Sequence, residues 1–397
     1  MSQSHVLVLN AGSSSLKFAI VDAQSGQETL SGIAEKLGLA NAEISWKYQS
    51  EKHSESLSAD GNPHDIAMQR IVALLQDLQL NDDFVAIGHR VVAGGESFKQ
   101  TVAVDEAVIE EIEALAELAP LHNKANALAI RAAVKAYPML PQFAVFDTAY
   151  HQTMPEKAFI YALPYELYKK DKVRRYGAHG TSHFYVAQQA AQQLGKPLSD
   201  LNAITVHLGN GASISAIKHG QSVDTSMGLT PLAGLMMGTR CGDIDPSVIE
   251  FLLTKGWSKE ALFETLNKKS GFLGVSGVSS DAREIMEAVE QGHAGAKLAF
   301  EVFTYRVAKY IASYLVPLDR LDAVIFTGGI GENSLPIRRE ILNNLKILGF
   351  VEDAQGNEAA RFGQAGQIGY STIFDAPVFV IPTNEELVIA QQSVALL

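Results

Sequence analysis

The chain has 397 residues, 47% of them hydrophobic and 19% charged, which is enough apolar surface to offset chain entropy and excludes a disordered protein. Its 32 Lys and Arg against 44 Asp and Glu leave a formal charge of −12, which argues against a general role on nucleic acid or an anionic membrane; an anionic ligand must be held by local cations. Cys241 is the sole cysteine, which excludes an intrachain disulfide and a Cys-rich zinc site and fits a reducing cytoplasm.

The length exceeds the roughly 250–300 residues at which single cores stop growing, so two domains and a cleft between them are expected. "MSQSHVLVLN" lacks the basic start and small-residue cleavage site of a leader, and reads as a first strand. Residues 6–10 and 16–21 read as two strands around a Gly and Ser turn. Residues 64–79 repeat Ile66, Ile71, Leu74, Leu75 and Leu78 at helical spacing, and "FVAIGHRVV" after them reads as a strand. Helices are predicted over 105–119 and 123–137, followed by the strand "FAVFDTA" with Asp147 at its end. Further helices are predicted over 181–194, 246–255, 258–268, 281–291 and 294–315, and strands near 203–208, 213–218, 322–327 and 377–381. The class is α/β. No apolar stretch approaches the roughly 18 residues of a membrane span.

Residues 8–20 can be laid without gaps on residues 205–217, 197 positions further on, so that Gly12 meets Gly209, Ala19 meets Ala216 and Ile20 meets Ile217. An offset of half the chain is that of a duplicated domain. The expected division is 1–150 and 151–383, with a C-terminal helix, 384–397, returning to the first domain.

No G-x-x-x-x-G-K-[ST] occurs, so a bound phosphate must rest on other glycine turns. "NAGSSS", "HLGNGAS" and "TGGIGENS" each follow an apolar strand, where glycines let backbone N–H groups approach phosphate oxygens. The helix "LPIRREILNNL" after the last of them places its glycines and Asn333 at a helix start, suited to an anion or a polar ligand edge. Arg90, at a strand exit beside a glycine pair, reads either as a surface ion pair or as a fork for a carboxylate. Arg240, in "GLMMGTRCGDIDP", lies in a Gly-rich loop from which it could reach a phosphoryl group. In "YGAHGTSH", Thr181 and Ser182 suggest a helix N-cap. His179, His183 and His207 are not at zinc spacing, which leaves magnesium as the metal to expect. Asp147 and Glu385 are carboxylates at strand exits, placed like ligands that face a crevice.

Taken together, "NAGSSSLK", "HRVVAGGE", "FDTAYHQTMP", "HGTSH", "HLGNGAS", "MGTRCGDIDP", "GGIGENS" and "TNEEL" resemble the acetate kinase (acetokinase) family of the sugar kinase, heat-shock chaperone and actin superfamily, in order and spacing along essentially the whole chain. The resemblance implies duplicated actin-like (ribonuclease H-like) domains flanking an interdomain cleft, and a cytoplasmic homodimer that converts ATP and acetate to ADP and acetyl phosphate. It implies Asn10 and Glu385 as Mg2+ partners, with Mn2+ as a substitute, and Lys17 as a phosphate contact. Arg90 would hold the acetate carboxylate, with Val92, Leu121 and Pro231 as pocket walls. Asp147 matches the family's acid or base, and His179 and Arg240 its transition-state stabilisers. The nucleotide would meet His207, Leu208, Gly209, Asn210 and Gly211, then Asp281, Ala282 and Arg283, then Gly329, Ile330, Gly331, Glu332 and Asn333. Family members often carry an aromatic residue where this chain has Ala178, which widens the expected pocket. The rival expectations are a propionate or butyrate kinase, and an actin-like ATP-binding module without transfer activity.

Overall fold

The first apolar run forms a strand. In the computed structural model, which describes residues 4–12, 14–58, 61–81, 83–117, 119 and 122–397, β1 (His5–Gly12) pairs antiparallel with β2 (Ser15–Asp22). Contacts divide the chain into two units, residues 1–152 with 384–397, and residues 153–383.

Among the described residues the first unit carries one eight-stranded sheet, completed by β3 (Glu28–Glu35), β4 (Glu43–Tyr48), β5 (Glu51–Ser56), β6 (Ala86–Val91), β7 (Val102–Ala103) and β8 (Gln142–Phe146). Its order is β5-β4-β3-β2-β1-β6-β8-β7, with β1, β6 and β8 parallel. Successive strand side chains point to opposite faces, and β1 uses both. Leu7 and Leu9 pack with Leu16, Phe18 and Ile20 against helices Pro63–Asp77 and Asn123–Ala136, through Met68, Ile71, Leu75, Ala129 and Ala133. Val6 and Val8 pack with Ala19 and Val21 against Ile389 and Ala390 of the C-terminal helix, Glu385–Val394. That helix lies directly on the sheet because position 88 has no side chain: a Cβ there would stand 2.6 Å from Ile389 Cγ2 and 2.7 Å from Ser393 Oγ.

The second unit carries a seven-stranded sheet among the described residues: β9 (Ala203–Leu208), β10 (Ala212–Lys218), β11 (Gln221–Thr225), β12 (Ala323–Thr327), β13 (Phe350–Glu352), β14 (Gly366–Ser371) and β15 (Ala376–Val380), in the order β11-β10-β9-β12-β15-β14-β13. Ile204, Val206 and Leu208 face a core shared with Ala296, Phe303, Val307, Ile337 and Ile341. The alternate residues Thr205 and His207 hydrogen-bond to helix Gly180–Gln193. The last strand of each half leads, along the chain, to a long helix on the other half's sheet: Gly180–Gln193 packs on β9 and β12, and Glu385–Val394 on β1 and β6.

Several local expectations are corrected. The repeat is real, but not gap-free. Ala11 pairs with Leu16 whereas Leu208 pairs with Ala212, so the second turn is one residue shorter. Gly12 and Gly209 remain equivalent, while Ala19 corresponds to Ser215 and not to Ala216. Helix Gly180–Gln193 begins before Thr181 and Ser182, with His179 at its cap in the left-handed region at φ 57°. Residues Gly328–Asn333 are themselves a short helix, so Asn333 ends one helix rather than starting the next. β3, β4 and β5 were not anticipated, because one of their faces carries Ser31, Ser45, Lys47 and Lys52 in place of an apolar set.

Replacing Gly88 by Val forces the C-terminal helix away from the sheet. We expect a loss of about 1–3 kcal/mol in stability, read as a lower urea midpoint.

Candidate active site

The first unit gathers charge at the ends of parallel strands. Asn10 on β1 lies opposite Arg90 on β6, and Asp147 follows β8 directly, its N–H donating to the Val91 carbonyl at 2.9 Å. Arg90 grips Asp147 with two bonds, Nε to Oδ1 at 3.1 Å and Nη2 to Oδ2 at 2.5 Å, while Nη1 donates to Asn10 Oδ1 at 3.2 Å. Glu385 enters from the first turn of the C-terminal helix, its Oε2 lying 3.8 Å from Arg90 Nε. Burial pulls the Arg90 pKa down, but Asp147 and Glu385 more than offset it and hold the guanidinium above the ordinary arginine value. Burial, reinforced by the charges of Asp147 and Glu386 against those of Arg90 and Lys17, lifts Glu385 above the usual carboxylate range. Lys17 stands opposite Asn10 on β2 with its side chain exposed.

The segment after β6 is fixed by two buried asparagines that the sequence reading missed. Asn126 Oδ1 accepts from Val92 N–H at 3.2 Å and its Nδ2 donates to the Ala11 carbonyl at 2.8 Å. Asn123 Oδ1 accepts from Ala93 N–H at 3.1 Å, and Nδ2 reaches the carbonyls of Ala93 and Ile112. The available signal was a pair of amides three residues apart on the apolar face of an alanine-rich helix. Val92 is buried beside them, and Leu121 lies outside the described residues.

In the second unit, His179 and His207 stack at 4.2 Å between ring centroids. A Cβ on Gly211 would stand 3.5 Å from His179 Nε2 and 3.7 Å from Arg240 Nη1, so both side chains border that turn. Arg240 donates to the Pro231 carbonyl at 2.8 Å, and burial lowers its pKa. Its loop is pinned at several points. Gly238 N–H donates to the Asn210 carbonyl, and a Cβ on Gly238 would fall 1.7 Å from Asn210 Oδ1. Asp243 accepts from Gly234 N–H at 2.7 Å and from the Tyr310 hydroxyl.

A cleft of about 1160 Å³ opens in this unit, and of the residues named from sequence it brings together Gly209, Asn210, Asp281, Ala282, Arg283, Gly329, Ile330 and Asn333. Asp281 caps helix Ala282–Glu290 and pairs with Arg283. Met286, Arg361, Phe362 and Gly363 also line it and went unnoticed in the sequence. Phe362 is 78% exposed under the Arg361 guanidinium, and its N–H donates to Asn333 Oδ1 at 2.9 Å. Leu208, Gly331 and Glu332 do not line the cleft. Leu208 is in the core, the Gly331 carbonyl accepts from buried Arg338, and Glu332 Oε1 accepts from the N–H groups of Gly328 and Thr383.

An arginine set among carboxylates on one unit, and a nucleotide-sized cleft beside a His and Arg pair on the other, define the class: an α/β phosphotransferase with duplicated actin-like units. The chain belongs to the acetokinase family, whose sequence profile matches residues 5–391. It is 66% identical to "Acetate kinase 2" of Vibrio cholerae over 397 residues and 63% identical to "Acetate kinase 2" of Aliivibrio fischeri, covering 100% of each chain in both cases. Among solved structures it resembles a propionate kinase from Francisella tularensis, at a TM-score of 0.92 and 45% identity over 98% of both chains. It also resembles Porphyromonas gingivalis acetate kinase, at 0.91 and 42% over 98% of this chain and 99% of that one.

Asn123→Leu removes the acceptor of the Ala93 N–H and one donor to the carbonyls of Ala93 and Ile112, at a buried position. Expected is a loss of about 2–4 kcal/mol, measured by urea unfolding.

Proposed function

We propose that this protein is an acetate kinase, transferring the γ-phosphoryl group of ATP to acetate to give acetyl phosphate and ADP. What carries the reading is the Arg90, Asp147 and Asn10 constellation, in a chain matched over its full length by proteins named acetate kinase 2. Acetate, with a pKa near the ~4.3 of a Glu side chain, is ionised at pH 7 and has no proton for a base to remove. Asp147 therefore serves to aim Arg90, and Arg90 orients the acceptor carboxylate. An acetate oxygen bonds to the γ-phosphorus as the bond to the bridging oxygen breaks, leaving its electron pair on ADP. Arg240 and His179 donate to the equatorial oxygens, where charge sits in a loose transition state.

Among the described residues no cluster of three or more His, Cys, Asp or Glu could close around an ion. Asn10 Oδ1 and Glu385 Oε2 are two oxygens beside the one Arg90 guanidinium; so small a set suits Mg2+, which keeps several waters and takes few protein oxygens, and these two would hold it through water, with Mn2+ as a substitute. When bound, the ion neutralises charge on the phosphates. Lys17 contacts phosphate, and the cleft at Gly209, Asn210, Asp281, Arg283, Gly329 and Asn333 takes the nucleoside, its base against Ile330, Met286 and Phe362. Ala282 lines the same cleft, and His207 and Gly211 belong to the proposed nucleotide site through the glycine turn that carries Gly209 and Asn210; Leu208, Gly331 and Glu332 support its backbone from behind. Val92, Leu121 and Pro231 are the proposed acceptor walls.

The proposed homodimer is supported by the exposed apolar side chains of Val248 and Phe251, neighbours at i and i+3 on one short helix, which a second copy would cover. A cytoplasmic setting is supported by the lone Cys241. Among the described residues no helix is long and apolar enough to cross a membrane.

The buried Ala178 favours one second reading, propionate as an acceptor. Comparing kcat/KM for acetate, propionate and butyrate tests both, since one methylene is worth only about 1–3 kcal/mol; acetate is expected to lead, and a clear preference for propionate overturns that order. Asp147→Asn is expected to lower kcat/KM for acetate about 10²-fold or more with the shape of the pH–rate profile retained. Loss of the profile's acid limb in this variant would restore Asp147 as a base. Phe362→Ala should raise the KM for ATP about 5-fold or more and leave kcat near wild type, because base stacking is worth about 1–3 kcal/mol.

A further inference from the structure

Arg240 stands on a loop, Gly234–Asp243, whose ends touch. Asp243 N–H donates to the Gly234 carbonyl at 2.9 Å, and Asp243 Oδ1 accepts from Gly234 N–H at 2.7 Å. Gly242 makes that closure possible: its φ is 67°, and a Cβ there would stand 2.3 Å from the Leu235 carbonyl oxygen and 2.4 Å from that of Gly234. The outgoing limb is fixed by burial, since Leu235, Met236 and Met237 lie in the core of the second unit. On the returning limb Thr239, Arg240 and Cys241 are only half-buried, so hydrogen bonds rather than packing must hold it.

Backbone supplies part of that hold. Leu273 N–H donates to the Gly238 carbonyl at 3.0 Å, Ser270 N–H to the Thr239 carbonyl at 2.9 Å, and Cys241 N–H to the Leu266 carbonyl at 3.0 Å. Side chains of helix Ala294–Ser313 supply the rest: Arg306 Nη1 donates to the Cys241 carbonyl at 3.0 Å, and the Tyr310 hydroxyl donates to Asp243 Oδ2. Arg306 and Tyr310 stand one turn apart and so on the same face of the helix. The bond to Cys241 is charge-assisted and fixes the residue next to Arg240, while the bond to Asp243 holds the carboxylate that closes the neck. Asp243 faces solvent, so these bonds add little to global stability; what they set is the path of the chain. Arg306, Tyr310 and Asp243 do not line the cleft.

We propose that Arg306, Tyr310 and Asp243 form a latch on the returning limb and are positioning residues for Arg240. A guanidinium that donates to a phosphoryl oxygen works only if the chain beneath it is already in place, because a displacement of about 1 Å costs about 10²-fold in rate. Pinning Cys241 and the neck supplies that order from within the fold. The effect on rate rests on the phosphoryl-transfer role proposed for Arg240; the latch itself does not.

Arg306→Met removes the donors and keeps an unbranched stem, and Tyr310→Phe removes only the hydroxyl. Each is expected to lower kcat for acetyl phosphate formation about 10-fold while the KM values for ATP and acetate stay within about 2-fold of wild type. In an Arg240→Ala background the same substitutions are expected to cost less than about 2-fold, because the group they position is gone. Amide hydrogen exchange of the full chain without substrate is the second measurement: Cys241 and Asp243 are expected to exchange about 10-fold faster in each variant, with the amides of Phe303 and Val307 unchanged. If Arg306→Met does not fold, Tyr310→Phe carries both measurements alone. Unchanged kcat, an equal loss in both backgrounds, or unchanged exchange at Cys241 and Asp243 overturns the proposal. Absence of acetyl phosphate formation by the wild-type chain, with exchange responding as expected, would count against the proposed function alone.

Discussion

The first unit is organised around one ion pair. Arg90 and Asp147 meet at the ends of adjacent parallel strands with Asp147 fully buried, and such a pair is tolerated only where geometry and further hydrogen bonds compensate for lost hydration. Asn10 supplies one of those bonds, and Glu385 places a second carboxyl group 3.8 Å from Arg90 Nε. Each partner arrives on a different element, so the site exists only when β1, β6, β8 and the C-terminal helix are in register together. Gly88 permits that helix to lie on the sheet. Asn123 and Asn126 then fix the backbone that leaves β6.

The second unit solves a related problem with neutral groups. At the position of Asn10 it carries His207, and at the position of Arg90 it carries Thr327, as the parallel registers of β1 with β6 and β9 with β12 show. Hydroxyls and imidazoles replace charges on that face and satisfy one another by hydrogen bonds. One architecture thus presents a cation held by carboxylates in one copy and a set of oriented donors in the other. That division suits a reaction in which one anion must be gripped and another must have its developing charge dispersed.

The strand-turn-strand units, the long helices and most motif residues were legible in sequence because period and turn chemistry are local properties. The open-faced strands β3 to β5 were not, since their alternation sets Leu30, Ala34 and Ile44 against polar partners that serve no second layer. Phe362 was equally hidden. Its value lies in a backbone turn that brings an exposed ring beside Asn333, twenty-nine positions earlier in the chain.

By itself the sequence determined the class, the duplication, the family and the identity of the ionic residues, because each depends on residue type and spacing along the chain. Tertiary structure alone decided which of those residues share a partner. Asp147 is spent on Arg90, Glu332 on backbone N–H groups, and Leu208 on the core. The one-residue difference between the two hairpin turns was likewise visible only in the ladders, where pairing is set by hydrogen bonds rather than by matched letters.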